Sequence, residues 1–270
     1  MQISLPGWLI GRSLGFVLFF TLLAPLNSYA DPKAPSKWAI GLGTGWLSDY
    51  PGAAQGRIRF LPFPVYRGSV LRVDRITGVS GEVYNNSKVD FSWNFIFQFP
   101  TDSSSIPVRA GMPDLDWLLS IGPQFKYYIY RTRAHKFFFR FPVRINSCTN
   151  FSDRTRFCGV AFNPGLRHAM RLESFGELTF RWEAFSHSSE FQQYFYEVSN
   201  QYATASRSAF HARAGFLGFV YGLFHTLPFD GWELSTSANI YDYSLAINNE
   251  SPLFVYKTNY ALFFAFTIDI

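Results

Sequence analysis

A two-residue alternation of apolar and polar side chains, repeated along most of the sequence, is the feature that most constrains the fold. In residues 89–98 every odd position is apolar, and every even position is polar except Ile96. Residues 136–146, 177–184 and 256–270 follow the same pattern, with large apolar side chains on one face and mostly polar or small ones on the other. A helix would place residues i, i+3 and i+4 on one face, so this period predicts β-strands.

Composition indicates which face of these strands points outwards. Aromatic residues make up 20% of the chain and charged residues only 16%, whereas a soluble domain has about 25% charged residues. No stretch after residue 23 is long and apolar enough for a transmembrane helix, and without one a chain satisfies its backbone in lipid only as a closed barrel. We therefore expect an all-β fold, a transmembrane antiparallel up-and-down β-barrel with a polar lumen, rather than a soluble β protein. The side chains expected to face lipid are Phe91, Trp93, Phe95, Phe137, Phe139, Phe141, Phe180 and Trp182.

The N-terminus has the pattern of a secretory signal. Arg12 supplies a positive charge, residues 14–23 form an apolar run, and Ser28-Tyr29-Ala30 puts small residues at the positions that a signal peptidase recognises. We expect residues 1–30 to be a cleaved signal peptide, with cleavage between Ala30 and Asp31. Residues 31–270 would then form a single barrel domain.

Export also decides how the two cysteines are interpreted. Cys148 and Cys158 are the only cysteines of the chain, and an exported protein meets an oxidising compartment. We therefore predict one disulfide that closes a surface loop. A metal site would need further ligands nearby, and no histidine lies between the two cysteines.

Turn-forming segments set the expected strand number. Short turns are predicted near Arg67-Gly68 and Asn85-Asn86, and at residues 131–135, 173–176 and 228–231. Longer loops are predicted at residues 49–56, 101–115, 147–158, 189–207 and 246–253. Bacterial barrels have short periplasmic turns, longer external loops and an even number of strands. Residues 69–84 are therefore interpreted as two short strands that bend near Thr77-Gly78, which predicts twelve strands, with ten as the alternative.

The charge pattern argues against several partners and cofactors. The net charge is +5, but the arginines are scattered singly along strand-like segments, so we expect no nucleic-acid partner. The five histidines show no spacing typical of a metal site, and we expect neither a metal nor another cofactor.

One short motif would suit catalysis. His187 and Ser189 have the His-x-Ser spacing found in some outer-membrane lipid hydrolases, with Glu183 or Glu190 as the group that orients the histidine. Phe191 follows Glu190 where those enzymes often have Asn-Gly, and a motif match without its context is only a hypothesis. The simpler interpretation is a set of polar residues where a strand meets a loop, and we expect no enzymatic activity.

A set of charged residues is expected to point into the lumen. Functionally, this set would line a pore for anions or small solutes; alternatively, it is a network of ion pairs that fills a narrow barrel. Small barrels are filled by side chains, and open channels come with 16 or more strands, so the filled interior is favoured. The set consists of Arg140, Arg144, Arg167, Arg171, Arg181, Glu177 and Glu183.

Several short motifs occur in a familiar order along most of the chain, and together they resemble those of the MipA/OmpV family, the family of the MltA-interacting protein. Departures from the usual pattern are Ala53 in place of serine, Glu197 in place of glycine and a terminal Ile270 in place of an aromatic residue. The motifs are Gly41-Leu42-Gly43, Asp49-Tyr50-Pro51-Gly52, Pro62 and Pro64 before Tyr66-Arg67, residues 111–116, residues 194–199 with Ala203 and Ser206, and Ser251-Pro252.

The resemblance implies an outer-membrane protein of a Gram-negative bacterium, in contact with outer-membrane lipid. The named family member is a scaffold that links a murein lytic transglycosylase to a murein synthase. We therefore expect a scaffold or interaction protein, whose periplasmic surface would include the turns at residues 131–135, 173–176 and 228–231. A small-solute pore is the alternative, and a lipid acyl hydrolase using His187 and Ser189 is a third hypothesis.

Overall fold

The computed structural model describes residues 37–74, 78–173 and 175–270. The signal peptide and its cleavage site at Ala30 and Asp31 lie outside the described residues, and so remain predictions. The strands are β1 (Trp38–Ser48), β2 (Gly56–Arg67), β3 (Leu71–Asp74), β4 (Gly78–Asn85), β5 (Val89–Gln98), β6 (Trp117–Arg131), β7 (His135–Thr149), β8 (Thr155–Phe162), β9 (Gly165–Leu172), β10 (Gly176–His187), β11 (Gly215–Phe229), β12 (Trp232–Asp242) and β13 (Thr258–Asp269). The helical elements are α1 (Ser189–Tyr196) and short 3₁₀ turns at Ser103–Ser105, Pro107–Arg109 and Asn200–Tyr202.

The strands close into one antiparallel barrel. Apart from β8 and β9, each strand pairs with its neighbour along the chain, and β1 pairs with both β2 and β13, which closes the sheet on itself. Strands β8 and β9 run end to end between β7 and β10, so the thirteen strands of the described residues occupy twelve positions. The interruption falls at Asn163 and Pro164, where proline has no backbone N–H to give to the ladder. The predicted twelve-stranded barrel is confirmed.

The alternation along the strands separates an apolar outer face from a polar inner one. Trp93 is 49% exposed on the outside of β5, whereas Asn94, the next residue, is buried inside. On β10, Phe180 points outwards and Glu183 inwards in the same way. All eight side chains that were predicted to face lipid lie on the outer face. So large an exposed apolar surface is unfavourable in water and suits the hydrocarbon region of a bilayer.

One side of the interior is apolar and closely packed. On β1 the inward positions after Ala39 are Gly41, Gly43 and Gly45, and the rings of Phe63 and Phe263 from the two neighbouring strands lie over them. A Cβ atom on Gly41 would sit 2.3 Å from the Phe63 ring, and one on Gly43 would sit 2.2 Å from the Phe263 ring. The two rings therefore fill this side of the barrel only because these glycines have no side chains.

The two ends of the barrel differ in their connections. The loops at residues 49–55, 99–116, 188–214 and 243–257 lie at one end, here called the loop end. The turns that follow β2, β4, β6, β9 and β11 lie at the other end, the turn end, together with the first and last strand residues, Trp38 and Asp269. No helix in the described part of the chain has the length and apolar character that crossing a membrane requires.

Three predicted loop boundaries were wrong, and one of these loops, predicted at residues 246–253, spans residues 243–257. The predicted loop at residues 147–158 is a five-residue turn, because β7 continues to Thr149 and β8 begins at Thr155, paired in register. The predicted loop at residues 189–207 is longer than expected and contains helix α1. In all three cases the alternation weakens near the loop end, where side chains pack against other loops.

Candidate functional site

The long loops pack together into a lid over the loop end of the barrel. Residues from four loops, and from the strand ends beneath them, form one buried apolar cluster, here called the loop lid. Helix α1 lies at its centre and buries Phe191, Phe195 and Tyr196. The loop lid consists of Tyr50, Ala53, Ile106, Leu115, Leu118, Cys148, Cys158, Ala161, Phe191, Phe195, Tyr196, Ala212, Leu217, Tyr243, Ala246 and Phe254.

Hydrogen bonds join the loops of the lid to one another. The Tyr50 hydroxyl donates to the Leu253 carbonyl at 2.7 Å, and the Tyr196 hydroxyl donates to the Pro51 carbonyl at 2.9 Å. The buried guanidinium of Arg109 donates through Nη1 to the Phe195 carbonyl at 3.0 Å. The loops thus satisfy one another's buried carbonyl groups, which would be costly if left unpaired.

Burial keeps the tyrosines of the lid protonated. It raises the pKa of Tyr50 to about 12, because the phenolate would lose its hydration, and the nearby Arg109 opposes this only in part. Burial also raises the pKa of Tyr194 and that of Tyr196 well above the ordinary value. At neutral pH all three hydroxyls can therefore act as hydrogen-bond donors.

The two cysteines belong to the loop lid and are joined by a disulfide, with 5.7 Å between their Cα atoms. Cys148 belongs to β7 and Cys158 to β8, and both are buried. The bond therefore connects two paired strands at the edge of the lid, and the turn that it closes spans residues 150–154.

In the lumen, the carboxylate of Glu183 is in contact with several arginine side chains. Oε1 of Glu183 accepts from Nη1 of Arg140 at 2.7 Å and from Nη2 of Arg167 at 2.8 Å. Nη1 of Arg181 lies 3.7 Å from Oε2 of the same carboxylate. Arg140 also donates to Gln124. The structure thus brings three of the predicted inward arginines onto one predicted glutamate.

The remaining predicted members of the inward set have other surroundings. Arg144 points into the lumen and donates through Nε to Asn94 at 3.0 Å. Arg171 and Glu177 face each other across β9 and β10 near the turn end, and Arg171 is exposed, so this pair does not join the central network.

The sequence analysis missed several polar members of the lumen. Lys126 pairs with Asp90 at 3.2 Å, and Asn239 accepts from Arg181 at 2.8 Å. These residues occupy inward positions of strands, so the alternation itself could have identified them. The alternation does not give the register between strands, and it is the register that determines which polar groups contact one another.

The structure surrounds His187, the histidine of the predicted catalytic pair, with aromatic rings. The His187 ring is buried, with its centroid 4.0 Å from that of Phe191, and its Nδ1 has no hydrogen-bond partner among the described residues. Glu183 is occupied by arginines, and Glu190 lies exposed in the first turn of α1. Among the described residues no hydrogen bond joins His187 to Ser189, and no three His, Cys, Asp or Glu side chains cluster as metal ligands would.

The turn end contains a cavity inside the barrel wall. Its volume is about 320 Å³, and its charged lining comes from Arg67, Arg72 and Glu233. Nη1 of Arg67 lies 2.8 Å from Asp269, the last residue of β13. The other lining residues are Phe63, Val65, Tyr66, Gly68, Val73 and Thr267.

Exposed basic side chains follow successive turns around part of this end, and we call them the basic turn rim. Two of them have protein partners: Nη1 of Arg131 donates to Asn85 at 2.8 Å and its guanidinium lies over the Tyr128 ring, and Nε of Arg72 donates to the Gly68 carbonyl at 3.4 Å. The other side of the turn end carries Asp230, Glu233 and Asp269. The basic turn rim consists of Arg72, Lys88, Arg131, Arg133 and Arg171.

Comparison with known proteins gives one extensive match. The sequence profile of the family described as "MltA-interacting protein MipA" matches residues 40–269, which confirms the resemblance found in the motifs. No curated protein matches the chain.

Two solved structures are distantly similar. One is "CymD monoaromatic hydrocarbon channel", with 8% identity and a TM-score of 0.35, covering 93% of this chain and 92% of that one. The other is "CdiB from Acinetobacter baumannii", with 9% identity and a TM-score of 0.30, covering 88% of this chain and 61% of that one. Both similarities are too low to say what this chain binds.

Proposed function

This chain belongs to the MltA-interacting protein MipA family, and on that premise we propose that it is an outer-membrane barrel that binds murein enzymes at its turn end. The observation that carries the proposal is the difference between the two ends. At the loop end the long loops pack on one another in the lid, whereas at the turn end each short turn presents exposed charged side chains that can contact a partner. We further propose that the protein acts by binding and not by catalysis.

The orientation of the barrel in the membrane supports a periplasmic partner. Bacterial barrels place their short turns in the periplasm, and here the short turns share an end with Trp38 and Asp269. Murein and the enzymes that process it also lie in the periplasm. The family's name describes an interaction with MltA, and the motif resemblance implies a murein lytic transglycosylase and a murein synthase as partners.

The charge of the turn end indicates the kind of surface that would fit. The basic turn rim favours an acidic patch on the partner, since complementary charge steers association and fixes the relative orientation. Each turn is short, and a stable interface buries at least about 1,200 Å² in total. Contacts must therefore spread over several turns, which predicts that single substitutions weaken binding and combined ones abolish it.

The test is capture of murein enzymes by the detergent-purified barrel. The interface variant is Lys88→Glu with Arg133→Glu and Arg171→Glu; Arg131 stays unchanged because it holds neighbouring turns together. The matched control is Arg154→Glu, an exposed arginine at the loop end. We expect the triple variant to lose capture of lytic transglycosylase and synthase, and the control to retain it. Equal capture by both variants would contradict the proposal.

A small-solute pore is the second candidate, favoured by the cationic side chains in the lumen. It predicts that liposomes containing the protein swell in small solutes, and that Arg140→Ala or Arg181→Ala changes the swelling rate. If solute flux responds to these substitutions while charge reversal at the turn end leaves capture unchanged, the pore replaces the scaffold as the better hypothesis.

A further inference from the structure

Four arginine side chains surround one carboxylate inside the barrel. Arg140 and Arg167 donate to Glu183, and Arg181 lies within ion-pair distance of it. Arg144 lies four residues from Arg140 on the inward face of β7 and donates to Asn94. Four positive charges against one negative charge leave a surplus of three in this group.

Neighbouring carboxylates do not offset the surplus. Asp90 is paired with Lys126 at 3.2 Å, so that pair is neutral by itself. Asp49, nearer the loop end, is paired with Arg57 at 2.9 Å. Within the described residues, Glu183 is the single carboxylate in ion-pair contact with any of the four arginines.

Arg144 has the fewest protein partners in this group. Its side chain is buried, with 6% of the residue exposed, and its Nε donates to Asn94. Its Nη1 and Nη2 have no hydrogen-bond partner within the described residues. A guanidinium carries five N–H donors, so most of the donors of Arg144 remain for a group that the protein itself does not supply.

We propose that Arg144, Arg167 and Arg181 bind a small oxyanion, of the phosphate or carboxylate class, inside the barrel. An uncompensated buried charge is strongly unfavourable, and a bound anion removes part of the surplus. Two parallel N–H groups of a guanidinium fit two oxygens of a phosphate or carboxylate, a match that a spherical chloride ion does not offer. This site lies in the lumen and is independent of partner binding at the turn end.

The test measures thermal unfolding of the detergent-purified barrel at constant ionic strength while chloride is replaced by inorganic phosphate or by acetate. The site variant is Arg144→Gln, and the matched control is Arg154→Gln, an exposed arginine with a side-chain accessibility of 63%. Titration calorimetry with phosphate gives the affinity directly. The two anions distinguish a phosphate ligand from a carboxylate ligand.

We expect the unfolding temperature of the wild-type barrel and of the control to rise with one of the two oxyanions. The dissociation constant of Arg144→Gln should be about tenfold higher or more, because charge-assisted hydrogen bonds are lost. Without oxyanion, Arg144→Gln should unfold at a higher temperature than the wild type, since the charge surplus is smaller. A merely structural arginine would not produce this reversal.

Three results would overturn the proposal. One is a wild-type barrel whose unfolding temperature is the same in phosphate, acetate and chloride. The second is an oxyanion effect of equal size in Arg144→Gln and in the wild type. If Arg144→Gln does not fold, Arg144→Lys takes its place, because lysine keeps the positive charge but lacks the two parallel N–H groups of the guanidinium. The third overturning result would then be an oxyanion affinity of Arg144→Lys equal to that of the wild type.

Discussion

The two ends of this barrel differ in how far the connections between strands are buried. At the loop end, four loops are long enough to form their own apolar core, with Phe195 and Tyr196 almost completely buried in it. At the turn end the connections are short turns such as residues 132–134, and their charged side chains stay exposed. The length of the connections is the reason for the difference, since a loop can bury its side chains against a second loop only when it is long enough to reach that loop.

The comparison shows where change is tolerated. In the loop lid, side chains from distant parts of the chain depend on one another, so a change in one loop affects the others. At the turn end each turn depends mainly on its own strand pair. We therefore expect stability to be sensitive at the loop end, and binding to be adjustable at the turn end.

Truncating the centre of the lid should have the largest effect. Tyr196→Ala removes a fully buried ring that packs on Phe254, together with its hydrogen bond to the Pro51 carbonyl. We expect a loss of about 3–5 kcal/mol in the free energy of unfolding. Tyr256→Ala, at an exposed tyrosine of the same end, is the control and should change little. Equal denaturation midpoints for the two variants would show that the lid contributes no stability.

Removing the disulfide should have the next largest effect. Cys148→Ala with Cys158→Ala opens a cross-link between residues ten apart in sequence, which is worth about 3 kcal/mol in the chain-entropy model. The wild-type protein treated with a reductant should approach the stability of the variant. Thermal unfolding of both forms checks this, and an identical midpoint before and after reduction would count against a stabilising bond.

Alkaline pH should weaken the lid by a smaller amount. The pKa of Tyr50 is raised to about 12, above its ordinary value of 10, so its contribution to stability is complete below pH 10 and is lost as the pH rises through 12. The loss should reach about 1 kcal/mol near pH 11 from this group alone. Tyr50→Phe should show a shallower fall of unfolding temperature above pH 10 than the wild type. Identical slopes would exclude Tyr50 as a contributor.

The alternation of side chains was sufficient to predict the barrel wall. A period of two fixes which face each residue occupies, so the lipid-facing aromatics and Arg140, Arg144 and Glu183 could be placed without the structure. The bend near Gly78 could be placed too. Two short strands in this segment give the barrel an even number of strands, whereas one strand would give an odd number.

The loop lid could not be predicted in the same way. Tyr50 and Leu253 are 203 residues apart, and no periodic signal links them. Helix α1 has only eight residues, too few for a helical pattern to stand out from its surroundings. His187 shows the same limit, because its motif matched a catalytic spacing whereas its surroundings in the lid proved to be aromatic.

The smallest expected effect on stability belongs to the turn end. Arg131 donates to Asn85 and to the Asn86 carbonyl, which joins the turn after β4 to the turn after β6. Because Arg131 is exposed, we expect Arg131→Ala to cost less than about 1 kcal/mol. The same variant should weaken capture of murein enzymes more than Arg133→Ala does, since it also lets two neighbouring turns move apart. Measuring capture by both variants distinguishes an arginine that positions the turns from one that only contacts the partner. If Arg131→Ala destabilises the barrel as much as Tyr196→Ala, the turn end is as interdependent as the lid, and the contrast between the two ends fails.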